Sequence, residues 1–191
     1  MKRRAWLWTT VLVFVAFVSA ALAADVPSDE KKRTSLNKYV TALEAYEMWK
    51  ADPQKVKVLD VRTPEEYVFV GHAAMAVNIP SELWTGTWSD KKKTFPLAFN
   101  PNFEAQVKAR FQPDDVLLVM CRSGHRSAKA IERLAAAGFS NVYNIVDGFE
   151  GDVVKDAESY FKGKRMINGW KNSGAPWTYD LDPQLIFAPT P

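Results

Sequence analysis

The chain has 191 residues, with 25 Lys or Arg, 22 Asp or Glu, two histidines and one cysteine. This length allows one domain with a proper core plus accessory segments. Three basic residues at positions 2–4 account for the whole net charge of +3, so the remainder is formally neutral and carries no electrostatic signature of nucleic-acid binding. One cysteine and two histidines are too few for a typical zinc site. We therefore expect no metal and no cofactor.

Residues 1–23 have the three parts of a secretory signal peptide. A basic start precedes a long apolar stretch, and the segment ends in the small-residue sequence "ALA". We expect cleavage after Ala23 and a periplasmic protein with no stable membrane insertion. An uncleaved anchor is the alternative, because the apolar run over about 5–24 is long enough to span a bilayer. The small residues before Asp25 favour cleavage.

Helices and strands alternate after a polar segment at 24–37, which we expect to be a mobile linker. Thr41 and Glu44 form a capping box that predicts a helix over 41–50. Thr63 as N-cap, followed by a proline, predicts a short helix that ends at Gly71. Short, continuous apolar runs predict strands over 56–61, 76–80, 116–120 and 141–146. Further helices are predicted over 103–111 and from about Ser127 to Gly138.

Residues 81–102 are predicted to form a long loop with four aromatic side chains, namely Trp84, Trp88, Phe95 and Phe99. These side chains either form a lid or partner surface near the cysteine, or pack onto the body of the domain. From residue 151 onward we expect a wrapped extension, with a Pro-rich tail at 179–191. The alternation of elements predicts an α/β fold with a mostly parallel sheet flanked by helices on both faces.

The sole cysteine, Cys121, follows directly on the predicted strand at 116–120 and begins the sequence "CRSGHRS". In a parallel sheet this position is the carboxyl edge, where ligands bind. A tight turn before a helix points backbone N–H groups inward and stabilises a thiolate or another anion. The alternatives are a buried structural cysteine or an intermolecular bridge, since a lone cysteine cannot form an intramolecular disulfide. Two arginines and a glycine within five residues favour the reactive thiol.

The sequences "CRSGHRS", "LDVRTPEEY", "GHAAMAVNIP" and "DGFEG" together resemble the rhodanese sulfurtransferases, in particular the single-domain exported type. The resemblance covers roughly residues 38–178, in the family's order. It implies that Cys121 takes a sulfane sulfur from a donor such as thiosulfate, carries it as a persulfide, and passes it to cyanide or a thiol. The expected partners are therefore a small-molecule donor and a thiophilic acceptor, which includes a possible protein acceptor.

We expect the following roles for several residues of the matched motifs. Arg126, and with it Arg122, is expected to attract the anionic donor through charge-assisted hydrogen bonds. His125 is a candidate proton carrier, although a loop histidine is more often simply exposed. Asp60 and Arg62 are expected to brace neighbouring loops, together with Glu66, and His72 to pack. The main-chain donors around the sulfur are expected from Ser123, Gly124, His125, Arg126 and Ser127; helix capping is the alternative role of Ser127.

Two other functions compete with an exported sulfurtransferase. Cysteine phosphatases of related fold use Cys-x5-Arg, whereas only four residues separate Cys121 from Arg126, and the loop supplies no carboxylic acid for a leaving group. The second alternative is a sulfur-carrier or partner-docking module with little turnover of its own. The enzyme interpretation requires a thiol that a donor can reach.

Overall fold

The computed structural model describes residues 24–188. The predicted signal peptide and the last three residues lie outside this part of the chain. The elements, in chain order, are β1 (Tyr39–Val40), α1 (Ala42–Ala51), β2 (Val56–Asp60), α2 (Pro64–Val70), β3 (His72–Ala73), β4 (Val77–Asn78), β5 (Glu82–Trp84), β6 (Leu97–Phe99), α3 (Phe103–Lys108), β7 (Val116–Met120), α4 (His125–Ala136), β8 (Val142–Ile145), β9 (Asp152–Val153), β10 (Arg165–Ile167) and β11 (Trp177–Thr178), with 3₁₀ turns at Glu30–Lys32 and Trp170–Asn172.

Five strands form the central sheet in the order β1-β8-β7-β2-β4. Every pairing within it is parallel, which confirms the predicted α/β architecture. Strand β7 lies in the middle and pairs with β2 along its whole length, from Val56 opposite Val116 to Asp60 opposite Met120. The residue after β7, which is Cys121, therefore lies at the centre of the sheet's carboxyl edge.

Helices cover both faces of this sheet because the side chains of β7 alternate between two cores. Leu118 and Met120 belong to a core that contains Ala45 of α1 and Tyr67 of α2. Leu117 and Val119 belong to the opposite core, whose helical members are Phe103, Val107, Ala130, Ile131 and Leu134. The continuous apolar sequence of the strand thus reflects burial on two sides.

The two helix starts that were predicted from N-cap residues, at Thr41 and Thr63, are both present. Thr41 and Glu44 form a reciprocal capping box at α1, and Thr63 and Glu66 form a second one at α2. The predicted starting point of α4 is two residues late, since the helix begins at His125 with Gly124 as its N-cap. Ser127 therefore lies inside the first turn and does not cap the helix.

Residues 81–102 are not an irregular loop, contrary to the prediction. Strands β5 and β6 form an antiparallel hairpin that places Glu82 opposite Phe99 and Trp84 opposite Leu97. Trp84 and Trp88 each meet the ring of Phe95 edge-on, with centroids 5.4 and 5.3 Å apart. Each strand has only three residues, which is too short to show the alternation that identifies a strand in sequence.

The segment 24–37 packs on the domain instead of forming the expected mobile linker. The backbone N–H of Ser35 donates to Glu132 Oε1 at 2.7 Å, and Asn144 Nδ2 donates to the carbonyl of Lys32 at 2.8 Å. The polar composition of this segment predicted solvation, whereas these two polar groups are hydrogen-bonded to residues more than ninety positions away.

Asp147 joins the N-terminal part of the domain to the C-terminal extension. Its carboxylate accepts hydrogen bonds from the backbone N–H groups of Ala42 and Gly169, each at 2.8 Å. Burial raises the pKa of Asp147, and the two amide bonds oppose that effect. One side chain thus fixes the start of α1 against the segment that follows β10.

The extension from residue 151 packs into the same core as the sheet. Trp170 is fully buried, its ring meets Tyr46 edge-on at 6.0 Å, and its Nε1 donates to the carbonyl of Pro176 at 2.9 Å. Strand β11 pairs with β3, and the N–H of Asn78 donates to the carbonyl of Leu185 at 2.8 Å. No helix within residues 24–188 is long and apolar enough to cross a membrane.

If the extension is part of the core, Trp170→Ala will lower the free energy of unfolding by about 3–5 kcal/mol, the usual cost of removing a buried large aromatic side chain. Urea unfolding followed by circular dichroism measures this change. Tyr160→Ala is the matched control, because Tyr160 lies in the same extension but is 86% exposed, and it should change stability by less than about 0.5 kcal/mol. Equal effects of the two substitutions would contradict the assignment.

Candidate active site

Cys121 is a free cysteine that is only 1% exposed. It follows the last residue of β7 and lies under the loop that leads into α4. Ser123 and Gly124 of this loop are buried, whereas Arg122 is exposed. The sulfur is therefore at the predicted edge of the sheet but is covered by its own loop.

One amide of the predicted cradle reaches the sulfur. The backbone N–H of Gly124 donates to Cys121 Sγ at 3.2 Å, and within the described residues none of the other four predicted amides makes a hydrogen bond to it. Gly124 has φ +95°, and a Cβ at this position would collide with the carbonyl of Val146. Only glycine fits here without strain, so the amide that faces the sulfur depends on this residue type.

Ser127 lies beneath the sulfur and shares its hydroxyl between two neighbours. Its Oγ is 3.5 Å from Cys121 Sγ and 2.7 Å from Asn144 Oδ1. Asn144 uses its Nδ2 as donor to the carbonyls of Lys32 and Gly124, at 2.8 and 3.1 Å, which leaves its Oδ1 as an acceptor only. The single hydroxyl proton of Ser127 therefore points toward Asn144, and the Oγ lone pairs face the sulfur.

The "DGFEG" turn holds the backbone of the cysteine loop. The N–H of Phe149 donates to the carbonyl of Cys121 at 2.8 Å, and the N–H of Glu150 donates to the carbonyl of Arg122 at 2.9 Å. Gly148 lies so close that a Cβ would be 2.6 Å from both the Cys121 carbonyl oxygen and the Ser123 nitrogen. This glycine is therefore required by close backbone approach as well as by its φ of +62°.

Arg126 is bound to Glu66 of α2. Its two terminal nitrogens donate to the two carboxylate oxygens at 2.7 and 2.6 Å, and the two side chains are only 16% and 23% exposed. Burial disfavours both charges, but the paired hydrogen bonds dominate, so the pKa of Glu66 is lowered and the pKa of Arg126 is raised. Glu66 thus joins Arg126, and not the Asp60–Arg62 pair with which it was expected to act.

Arg122 and Arg126 line a cleft of about 490 Å³ beside the loop. Arg122 makes no ion pair or side-chain hydrogen bond with any residue of 24–188. It is therefore the free cation of the loop within the described residues. The cleft also contains Trp84 of the hairpin, which places one of the predicted aromatic residues next to the cysteine loop.

His125 faces away from this cleft, toward a polar cavity of about 690 Å³ that it shares with Ser123. Its Nε2 lies 2.7 Å from Asp29 Oδ2, and the pKa of Asp29 is lowered chiefly by this hydrogen bond. The segment 24–37 thereby contributes a side chain to the surroundings of the loop. A proton-carrying role for His125 stays a prediction.

Asp60 and Arg62 are both fully buried and form the predicted brace. Arg62 donates to the carboxylate of Asp60 through Nε and one terminal nitrogen, at 3.0 and 2.6 Å, and that nitrogen also donates to the carbonyl of Gly71 at 2.8 Å. The guanidinium lies 4.1 Å from the centre of the Phe149 ring. The pair thus supports the residue whose amide holds Cys121. His72 packs as expected, stacked on Tyr67 at 3.8 Å.

The structure brings Cys121, Gly124 and Ser127 together and places Arg122 and Arg126 at the adjacent cleft, whereas His125 and Ser123 face the opposite cavity. Sequence reasoning missed Asn144 and the pairing of Glu66 with Arg126. The only available signal for Asn144 was a polar residue inside an apolar strand run, "NVYNIV". Within residues 24–188 no group of His, Cys, Asp and Glu is arranged to hold a metal.

Comparisons with known proteins agree with this geometry. The family model described as a rhodanese-like domain matches residues 41–153. Senescence-associated protein DIN1 of Raphanus sativus is 34% identical over 142 residues, which are 74% of this chain and 66% of that protein. Thiosulfate sulfurtransferase 16 of Arabidopsis thaliana, a chloroplastic protein, is 40% identical over 93 residues, 49% of this chain and 70% of that protein.

A solved structure also resembles this chain in its fold. The crystal structure of Rv0390 from M. tuberculosis matches with a TM-score of 0.58 and 31% identity, over 75% of this chain and all of that one. The matched part of this chain spans about two thirds of the length of the radish and Arabidopsis relatives. The family match covers more than half of the 191 residues, and the chain therefore belongs to the rhodanese-like domain family.

Proposed function

We propose that the protein is an exported, periplasmic, single-domain sulfurtransferase that carries a sulfane sulfur on Cys121. The observation that supports this most strongly is the position of its sulfur at the sheet's carboxyl edge, with the Gly124 amide directed at it. Two Arabidopsis thaliana relatives, at 40% and 42% identity, are named thiosulfate sulfurtransferases. Export is supported by the basic, apolar and small-residue pattern of residues 1–23.

The proposed reaction has two displacement steps. The Cys121 thiolate attacks the sulfane sulfur of thiosulfate, the S–S bond of the donor breaks, and sulfite leaves with the electron pair. Cyanide or a thiolate then attacks the outer sulfur of the persulfide. The Cys121–sulfur bond breaks in that step, so that thiocyanate or a new persulfide leaves and the cysteine thiolate is restored. No net oxidant or reductant is needed.

The residues around the sulfur favour an anion at this place. The Gly124 N–H donates to Sγ, and the first turn of α4 presents the positive end of the helix dipole to it. Rotation of the Ser127 hydroxyl from Asn144 toward the sulfur would add a second donor at 3.5 Å. The persulfide anion extends about 2.05 Å beyond Sγ and can use the same donors.

The burial of Cys121 favours a second candidate function. A donor reaches Sγ only if the loop over 122–124 shifts, because the cysteine is 1% exposed. A carrier module that opens its loop on docking to a partner enzyme would also need a buried sulfur and an exposed hairpin. The two candidates differ in turnover by the isolated protein, which the carrier would lack.

Incubation of the mature protein with thiosulfate should add about 32 Da, the mass of one sulfur atom, to the intact chain. The adduct should be absent in Cys121→Ser, since no other cysteine exists in the sequence. Intact-mass spectrometry measures the adduct, and thiocyanate release after addition of cyanide measures turnover. An adduct without turnover would favour the carrier, whereas the absence of any adduct from all donors tested would refute both sulfur functions.

Arg122→Ala should raise the Michaelis constant for thiosulfate about tenfold, the low end of what a charge-assisted hydrogen bond contributes, and should leave the free energy of unfolding unchanged. Arg126→Ala is the comparison, because it leaves the Glu66 carboxylate unpaired and should cost about 1–3 kcal/mol of stability. Steady-state kinetics and urea unfolding separate the two effects. An unchanged Michaelis constant in Arg122→Ala would remove its assigned role.

A further inference from the structure

The turn of the β5–β6 hairpin carries a run of three lysines that the rest of the described chain does not neutralise. Lys91, Lys92 and Lys93 are all exposed. Among them, only Lys93 lies near a carboxylate, with its Nζ 3.7 Å from Asp90 Oδ1. Lys91 and Lys92 form no ion pair with any residue of 24–188. The turn therefore presents two positive charges to solvent that no carboxylate in this part of the chain offsets.

Three aromatic rings form a row that leads to this turn. The ring of Phe95 meets the rings of Trp84 and Trp88 edge-on, with centroids 5.4 and 5.3 Å away. None of the three belongs to either core of residues 24–188, and each is more than 40% exposed. Trp88 Nε1 donates to Asp90 Oδ1 at 3.1 Å, which fixes this indole beside the lysines. The rings are thus held by one another and by the turn, and their apolar surface stays in contact with solvent.

Aromatic rings next to unpaired lysines are the combination that an anionic lipid surface binds. Tryptophan is enriched at the level of lipid head groups, because its ring has an apolar body and a polar N–H. Each lysine near an anionic surface strengthens the binding. In this protein the rings and the lysines lie together within 84–95, and every residue of that range except Ser89 is exposed.

The size of this segment favours a lipid surface over a protein partner. A stable protein interface usually takes about 800 Å² and roughly 20–30 residues from each side, which is more than one short turn offers. Lipid head groups rearrange around an exposed turn and need no matching surface. A few interfacial aromatic side chains and a local positive charge are sufficient for reversible binding.

We propose that the turn of the β5–β6 hairpin is a peripheral membrane-binding site for anionic lipid surfaces. Lys91 and Lys92 contact the lipid phosphates, and the rings of Trp88 and Phe95 enter the head-group region. The contact is reversible and requires no transmembrane segment. It requires no sulfur transfer either, so this inference goes beyond the proposed function and can fail without it.

The test measures how much of the chain from Ala24 onward sediments with large vesicles, so that the apolar segment at 1–23 does not take part. Vesicles of phosphatidylglycerol and phosphatidylcholine in equal parts are compared with vesicles of phosphatidylcholine alone, at low and at high salt. We expect binding to the anionic vesicles only, and weaker binding at high salt because the lysine charges are then screened. Cys121→Ser should bind like the unaltered chain.

Lys91→Ser combined with Lys92→Ser should lower the partition coefficient for anionic vesicles about twentyfold, since each lysine near such a surface contributes a factor of about five. Trp88→Ala should lower it at least about tenfold, through the loss of one large apolar side chain from the interface. Tyr160→Ala is the control for the ring, because Tyr160 is also exposed but lies on the β9–β10 connection.

The matched control for the charge is Lys162→Ser combined with Lys164→Ser. It makes the same charge change on another exposed connection, between β9 and β10. Asp156 and Glu158 on that connection are exposed as well, and their charges oppose binding to an anionic surface. The control should therefore change the partition coefficient by less than about twofold.

Binding that does not depend on lipid charge, or that falls equally in the two double-lysine variants, overturns the assignment. So does an unaltered chain that binds neither kind of vesicle, which would leave a protein as the partner of the turn. The mass increase of Cys121 with thiosulfate should be the same in all the lysine variants. Failure of vesicle binding and failure of sulfur transfer are therefore distinguished in the same set of proteins.

Discussion

Two backbone hydrogen bonds hold the cysteine loop in place, and the rest of the site depends on them. The amides of Phe149 and Glu150 donate to the carbonyls of Cys121 and Arg122, so the chain leaves β7 in a fixed direction before it turns into α4. Gly148 allows this close approach, and the guanidinium of the buried Arg62 lies against the ring of Phe149. Because the loop backbone is fixed, the Gly124 amide is already oriented toward the sulfur.

Charged side chains of the same loop also form hydrogen bonds with two other parts of the chain. Arg126 binds the carboxylate of Glu66, which also accepts a hydrogen bond from the N–H of Thr63 and completes the cap of α2. On the opposite side, His125 binds Asp29 from the segment before the domain. The loop therefore lies between two cavities of about 490 and 690 Å³, and each of them includes residues of an element distant in sequence.

The hairpin over 82–99 and the extension after residue 151 have different relations to the core. The extension contributes the fully buried Trp170 to the core on one face of the central sheet, and a strand that pairs with β3 in a separate two-stranded sheet. The hairpin leaves Trp84, Trp88 and Phe99 exposed. Exposed aromatic side chains contribute little to folding stability, and of these three Trp84 lines the cleft together with Arg122.

The elements with local signals could be predicted from the sequence alone. The predictable features were the capping box at Thr41, the N-cap at Thr63, the apolar strand at 116–120 and the loop that begins at Cys121. Caps, short apolar runs and strand-to-helix turns depend on adjacent residues. The parallel orientation of the strands followed from the alternation of elements. The place of Cys121 at the carboxyl edge followed from that orientation.

The partners that these residues contact depend on how distant elements pack in three dimensions. The pairing of Arg126 with Glu66, of Ser127 with Asn144 and of His125 with Asp29 joins positions that are 60, 17 and 96 residues apart. Such contacts depend on how the helices and the segment 24–37 pack, and no local pattern encodes them. The hairpin was missed for the same reason, since its three-residue strands are specified by pairing across the turn and not by their own sequence.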